Sequence, residues 1–242
     1  MSARPDEAVS PAAFAHTSAA LVATFTPVIR GLDFHAGNRV WFSLSLLKSS
    51  IDIAHAALTL IATDDENNGM GAVVLLRPQL EHMFRAIYLG SDLLASDNFL
   101  HKFERGAADF PPFQSLSELA AAHLPGAGLL GSISENEFGR LPRMVAFIKK
   151  DLHGFVHGGI KVIQAYEHET GIAFDVEHFD NGHLVVNVTA CALLAFSFTQ
   201  TLSPTTWPQV GETHPKEVGA FLTAYEAWIQ AAKAIGSLPQ EA

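Results

Sequence analysis

The sequence predicts a single all-α domain spanning 1–242, an antiparallel helical bundle with an irregular insertion and room for one small β-hairpin. Three observations carry this. Long stretches repeat apolar residues at helical spacing. Hydrophobic residues make up 48% of the chain and charged ones only 17%, below the roughly 25% usual in soluble domains. Turn signals separate the periodic stretches. A chain of 242 residues can bury a sizeable core, and its positive mean hydropathy implies long buried segments or an apolar surface covered in an oligomer. A homodimer is therefore expected.

In chain order, Ser10 followed by Pro11 is an N-cap with proline at the first helical position, opening a helix over 10–30. The segment 37–62 is a long apolar-periodic helix carrying Val40, Leu44, Leu47, Ile51, Leu58 and Leu60. DDENNGMG at 64–71 reads as a turn, and helix returns over 72–94, so the two should form an antiparallel hairpin. Between about 95 and 133 the pattern breaks, with FPPF at 110–113 and LPGAGLLG at 124–131 punctuating short amphipathic pieces. Ser134 and Glu137 have capping-box spacing and start a helix toward Glu167. A DNG turn at 180–182 suits a small hairpin or an ordered loop. Two helices follow, over 184–202 and 216–235, with Gly236 placed for a C-terminal cap and 237–242 a frayed tail.

Composition narrows function mainly by exclusion. A formal net charge of −10 argues against non-specific nucleic-acid binding, which depends on neutralising phosphates, while leaving room for a small basic pocket. One cysteine, Cys191 in an apolar run, cannot build a disulfide within the chain and reads as a buried thiol. The start, MSARPDEAVSPAAF, lacks the form of a secretory signal. The most apolar run, 184–202, contains Asn187, Thr189, Ser197, Thr199 and Gln200, which reads as a buried central helix rather than a bilayer span. The expectation is a cytoplasmic protein with no membrane partner. No phosphate-binding glycine loop, nucleophile elbow or Cys–His pair is present, and no cofactor is expected.

The residues that stand out are in LLRPQLEHMFRAIYL, 75–89, where Arg77, Glu81 and Arg85 recur at every fourth position. On a helix of about 100° per residue, Val73, Leu76, Leu80, Met83, Phe84 and Ile87 share the core face. Arg77 and Glu81 lie at its edge with Tyr88 between them, and His82 points about 140° away from Arg77. The row is either a set of solvated i,i+4 ion pairs, each about 0.2–0.5 kcal/mol, or a network in a cleft where Glu81 orients both guanidiniums. Pro78 removes the hydrogen bond to the Val74 carbonyl and should bend the helix.

A second element, KKDLHGFVHGGIKV at 149–162, sets His153 and His157 four residues apart beside Gly154 and Gly158. Glycine after His153 departs from the H-E-x-x-H zinc pattern. The open readings are one packed, hydrogen-bonded histidine with the other exposed, a polar site pairing His157 with the arginine ladder, or a metal site. His168, His178, His183, Glu167, Asp175, Glu177 and Asp180 form a further acidic and imidazole-rich segment. It lacks recognised ligand spacing and reads as a solvated loop, with a divalent ion as the alternative.

The long helix, the R-P-x-x-E-x-x-x-R-A segment and the distal H-x-x-x-H-G-G element together resemble a group of bacterial all-helical proteins related to HEPN-like and abortive-infection bundles. The resemblance covers roughly 37–94 and 145–165 and points to Arg77, Glu81, Arg85, His153 and His157. Catalytic HEPN members are RNases with an R-x4–6-H motif acting across a dimer. Arg77 with His82, and Arg30 with His35, match R-x4-H formally, but Pro78 stands where the motif usually has a polar residue. The resemblance implies a defence or toxin-type protein whose polar site binds a phosphate-bearing substrate or cleaves RNA. The alternative is a non-catalytic helical module that binds a partner protein or small ligand.

Overall fold

The computed structural model describes residues 9–123, 167–168, 171–172 and 181–235, and these are all-α. Helix α1 (Pro11–Ala23) begins as expected: Ser10 Oγ accepts from the Ala13 N–H at 3.2 Å, with Pro11 in the first turn. A short α2 (Phe25–Ile29) continues it. The long helices α3 (Asn38–Thr63) and α4 (Asp65–Gly90) follow, then α5 (Asp97–Glu104) and α6 (Phe113–His123). After the two-residue strands β1 (Glu167–His168) and β2 (Gly171–Ile172) come α7 (Asn181–Thr201), α8 (Trp207–Thr213) and α9 (Pro215–Ala234).

Helices α3 and α4 form an antiparallel hairpin, and three bonds show the direction. Asn68 Nδ2 donates to the Leu60 carbonyl, Ser50 Oγ to that of Gln79, and Ser43 Oγ to that of Ala86, at 3.2, 2.8 and 2.8 Å. As α3 positions fall, α4 positions rise. The expected core face is realised: Val73, Leu76, Leu80, Met83, Phe84 and Ile87 are all fully buried, each worth about 1.5–3 kcal/mol for the larger side chains. Helix α7 packs against α1, α2, α3 and α4. It is buried nearly all round, as helices surrounded by others are, and it encloses Cys191. Gln79 ties the two together, its Nε2 donating to the Val188 carbonyl at 2.8 Å.

Several expectations change. The turn expected at 64–71 reduces to Asp64, whose extended backbone (φ −165°, ψ 100°) is the whole break before α4 starts at Asp65. Tertiary contacts override the low propensity there: Asn181 Nδ2 donates to the Asp65 carbonyl at 3.1 Å, and Met70 and Ala72 are buried. The hairpin expected at the DNG turn does not form. Asn181 and Gly182 lie in the first turn of α7 and are buried there, while the only strand pairing among the described residues joins Glu167 to Ile172 and His168 to Gly171. The insertion holds α5 and α6 across 97–123. The helix expected from Ser134 lies outside the described residues except at its end, where Glu167 is in β1 instead; the Gly236 cap lies outside them.

The expectation of no membrane partner is overturned. Three helical stretches, Pro11–Ile29, Asn38–Thr63 and Asn181–Thr201, are long and apolar enough to cross a membrane by length and composition. Of the polar residues along 184–202, Thr189, Ser197 and Thr199 donate to carbonyls within α7, which lowers the cost of these three in an apolar setting. In this fold 83% of the α7 window is buried against other helices, and 39% of each of the other two.

Candidate functional site

Helix α4 runs unbroken through Pro78 and presents the arginine ladder to the insertion. Glu81 pairs with Arg85 one turn later. The Arg85 guanidinium lies 4.9 Å from the centre of the Phe110 ring, and that of Arg77 lies 5.7 Å from Phe113. These rings are the two ends of FPPF, so the prolines stiffen a segment that places one ring over each arginine. Tyr88 joins the same layer, edge-on to Phe99 and Phe110 at 5.2 and 6.0 Å. Phe103 and Phe42 extend it further. The Arg85 side chain remains 36% exposed and that of Glu81 30%, so the row is neither a solvated flank nor a sealed network. Among the described residues, Nε of Arg85 is buried without a partner.

His82, on the next position round the helix, faces α3: its Nδ1 lies 2.9 Å from Ser49 Oγ. Its pKa is held below the ordinary 6.5, chiefly by burial and then by the Arg85 charge, with Glu81 opposing. A neutral imidazole therefore stands beside a fixed guanidinium at neutral pH. The formal partner in the R-x4-H pattern, Arg77, is the more distant arginine on the helical wheel, and Arg85 is the one whose charge His82 feels.

Sequence reasoning missed three sets of residues. Ser49 has no signal apart from its place on the facing helix, and Phe110 and Phe113 stood out only as the edges of a proline break. Arg39, at the start of α3, was also missed. Its Nη1 donates to the Leu89 and Ser91 carbonyls at 2.9 and 3.0 Å, and its Nη2 to Ala95 O and Asp97 Oδ1 at 2.8 and 3.2 Å. Its Nε lies 2.7 Å from Asp92 Oδ1. This cation closes the C-terminus of α4, where carbonyls are left over and the helix dipole is negative.

His153 and His157 lie outside the described residues, as do most of the acidic and imidazole-rich positions between 167 and 183; His183 is exposed on α7. Among the described residues no group of three or more His, Cys, Asp or Glu side chains is arranged to hold a metal ion. Comparison with protein-family models, curated proteins and solved structures finds no match to this chain.

Proposed function

We propose that Glu81 and Arg85 of α4, with Arg77 beside them and His82 on the adjoining side toward α3, bind a phosphate-bearing substrate and cleave RNA. The observation that supports it most is Arg85: a partly exposed guanidinium pinned by Glu81 and the Phe110 ring, next to a histidine kept neutral by burial and by that same charge. The resemblance of the R-P-x-x-E-x-x-x-R-A segment to HEPN-like bundles supports the same reading. In the proposed reaction His82 takes the proton of a ribose 2′-hydroxyl. The freed oxygen attacks the adjacent phosphorus, the P–O5′ bond breaks, and the 5′-oxygen leaves and takes up a proton. Arg85 stabilises the charge that builds on the phosphoryl oxygens, and Ser49 holds the imidazole ring in one orientation. His153 and His157 remain part of the proposal as a second source of the proton-moving group.

A second reading, the non-catalytic module, has its own support: both ladder arginines face rings of the insertion, which is what a clamp fixing that insertion requires. Degradation of varied RNAs by wild type and by His82→Gln separates the two. Cleavage by wild type that drops by roughly 10²-fold or more in the variant supports the enzyme. Absence of cleavage by wild type favours the module, and cleavage undiminished in the variant excludes His82 as the base.

A further inference from the structure

A groove of about 540 Å³ that shares no residue with the ladder opens between the α2–α3 link, the α7–α8 link and the end of α8. That volume falls in the roughly 300–1,000 Å³ range of small-molecule sites. Its frame is held by local bonds. The Asp33 N–H donates to Thr205 Oγ1 at 3.1 Å, Ser203 Oγ donates to the Asp33 carbonyl at 2.5 Å, and the Thr206 N–H donates to Gln209 Oε1 at 2.7 Å.

His214 is seated in this frame. It occupies the N-cap position of α9, yet its side chain makes no capping bond. Its Nδ1 instead meets Thr213 Oγ1 at 2.9 Å, and the ring lies against Gly31, where an added Cβ would come within 2.8 Å of Nδ1. Glycine at 31 is therefore what lets the imidazole lie there, and its Nε2 edge has no protein partner among the described residues.

The charges around the groove are the informative feature. Arg30, Asp33 and Glu212 all line it, and among the described residues none of these side chains makes an ion pair or hydrogen bond. All three side chains are exposed and open to a solute. A lone anion entering the groove meets two carboxylates, and a lone cation meets the guanidinium. A ligand bearing both signs meets the complement of each, with its carboxylate in the planar fork of Arg30 and its ammonium between Asp33 and Glu212.

We propose that this groove is a binding site for a small zwitterion of the α-amino-acid class, up to dipeptide size. The test is calorimetric titration of the full chain with each of the common α-amino acids and with glycylglycine, using acetate and ethylammonium as single-charge controls. Expected is saturable binding of at least one zwitterion and none of the controls. Arg30→Gln and Asp33→Asn, both at exposed positions, should each weaken it roughly tenfold with thermal unfolding unchanged. Gly31→Ala should weaken it too, by displacing His214. The proposal is overturned if no zwitterion binds wild type up to about 10 mM, if acetate or ethylammonium binds as tightly, or if affinity survives both charge substitutions.

Discussion

Arg39 and Arg85 sit on the two helices of one hairpin, and their guanidinium groups are used in opposite ways. Arg39 is 16% exposed and donates to three backbone carbonyls and two aspartates at the end of α4. Among the described residues Arg85 has one carboxylate and one aromatic ring, and its buried Nε has no partner. A guanidinium carries five donors in a fixed fork, so Arg39 is saturated, while among the described residues the Nη groups of the partly exposed Arg85 are not. Saturation by carbonyls points to architecture. Reserve capacity beside a neutral histidine is what a ligand site needs, and that contrast is why the proposed site lies on α4 rather than at the α3 start.

Breaking the saturated arginine should cost most. Arg39→Ala strands carbonyls at the α4 terminus and is expected to lower unfolding free energy by about 3 kcal/mol, read by urea denaturation, with any RNA cleavage per folded molecule unchanged. Next comes the layer over the ladder. Phe110 meets Tyr88, Phe99 and Phe103 as well as Arg85, so Phe110→Ala should cost about 2 kcal/mol and raise protease sensitivity within 97–123.

The smallest effect concerns His82. Because its folded pKa lies below the ordinary 6.5, the unfolded chain binds more protons in the window just under that value. Its contribution to stability is intact at pH 7.5, begins to fall as pH drops past 6.5, and levels off below the folded pKa. Unfolding free energies measured from pH 7.5 to 5 should therefore show a shallower slope in His82→Gln than in wild type. An unchanged slope would show that His82 does not titrate as described.

The hairpin was legible in the sequence because its core face repeats at helical period from Val73 to Ile87, and packing had no reason to contradict it. The DDENNGMG segment was not, since its helix depends on contacts that only folding brings, notably Asn181 reaching the Asp65 carbonyl. The ladder residues Arg77, Glu81 and Arg85 were visible as a spacing. Their partners Phe110 and Phe113 were not, because an aromatic ring over a guanidinium leaves no periodic mark. Arg39 was the least visible, since carbonyl acceptors look the same at every residue. The angle of His82 to Arg77 hides its place in the sequence, because its neighbour is Arg85, about 60° away on the helix.

The account turns on whether Arg85 serves a ligand or only the insertion, and Arg85→Lys tests that most directly. Lysine keeps the charge opposite Glu81 and over Phe110 but loses the planar fork. Cleavage rate and unfolding free energy should be measured on the same preparation. The account predicts cleavage down by roughly 10²-fold or more with stability changed by no more than about 1 kcal/mol. Cleavage that stays at the wild-type rate, or that falls only as far as the folded fraction does, contradicts it and leaves Arg85 as a clamp.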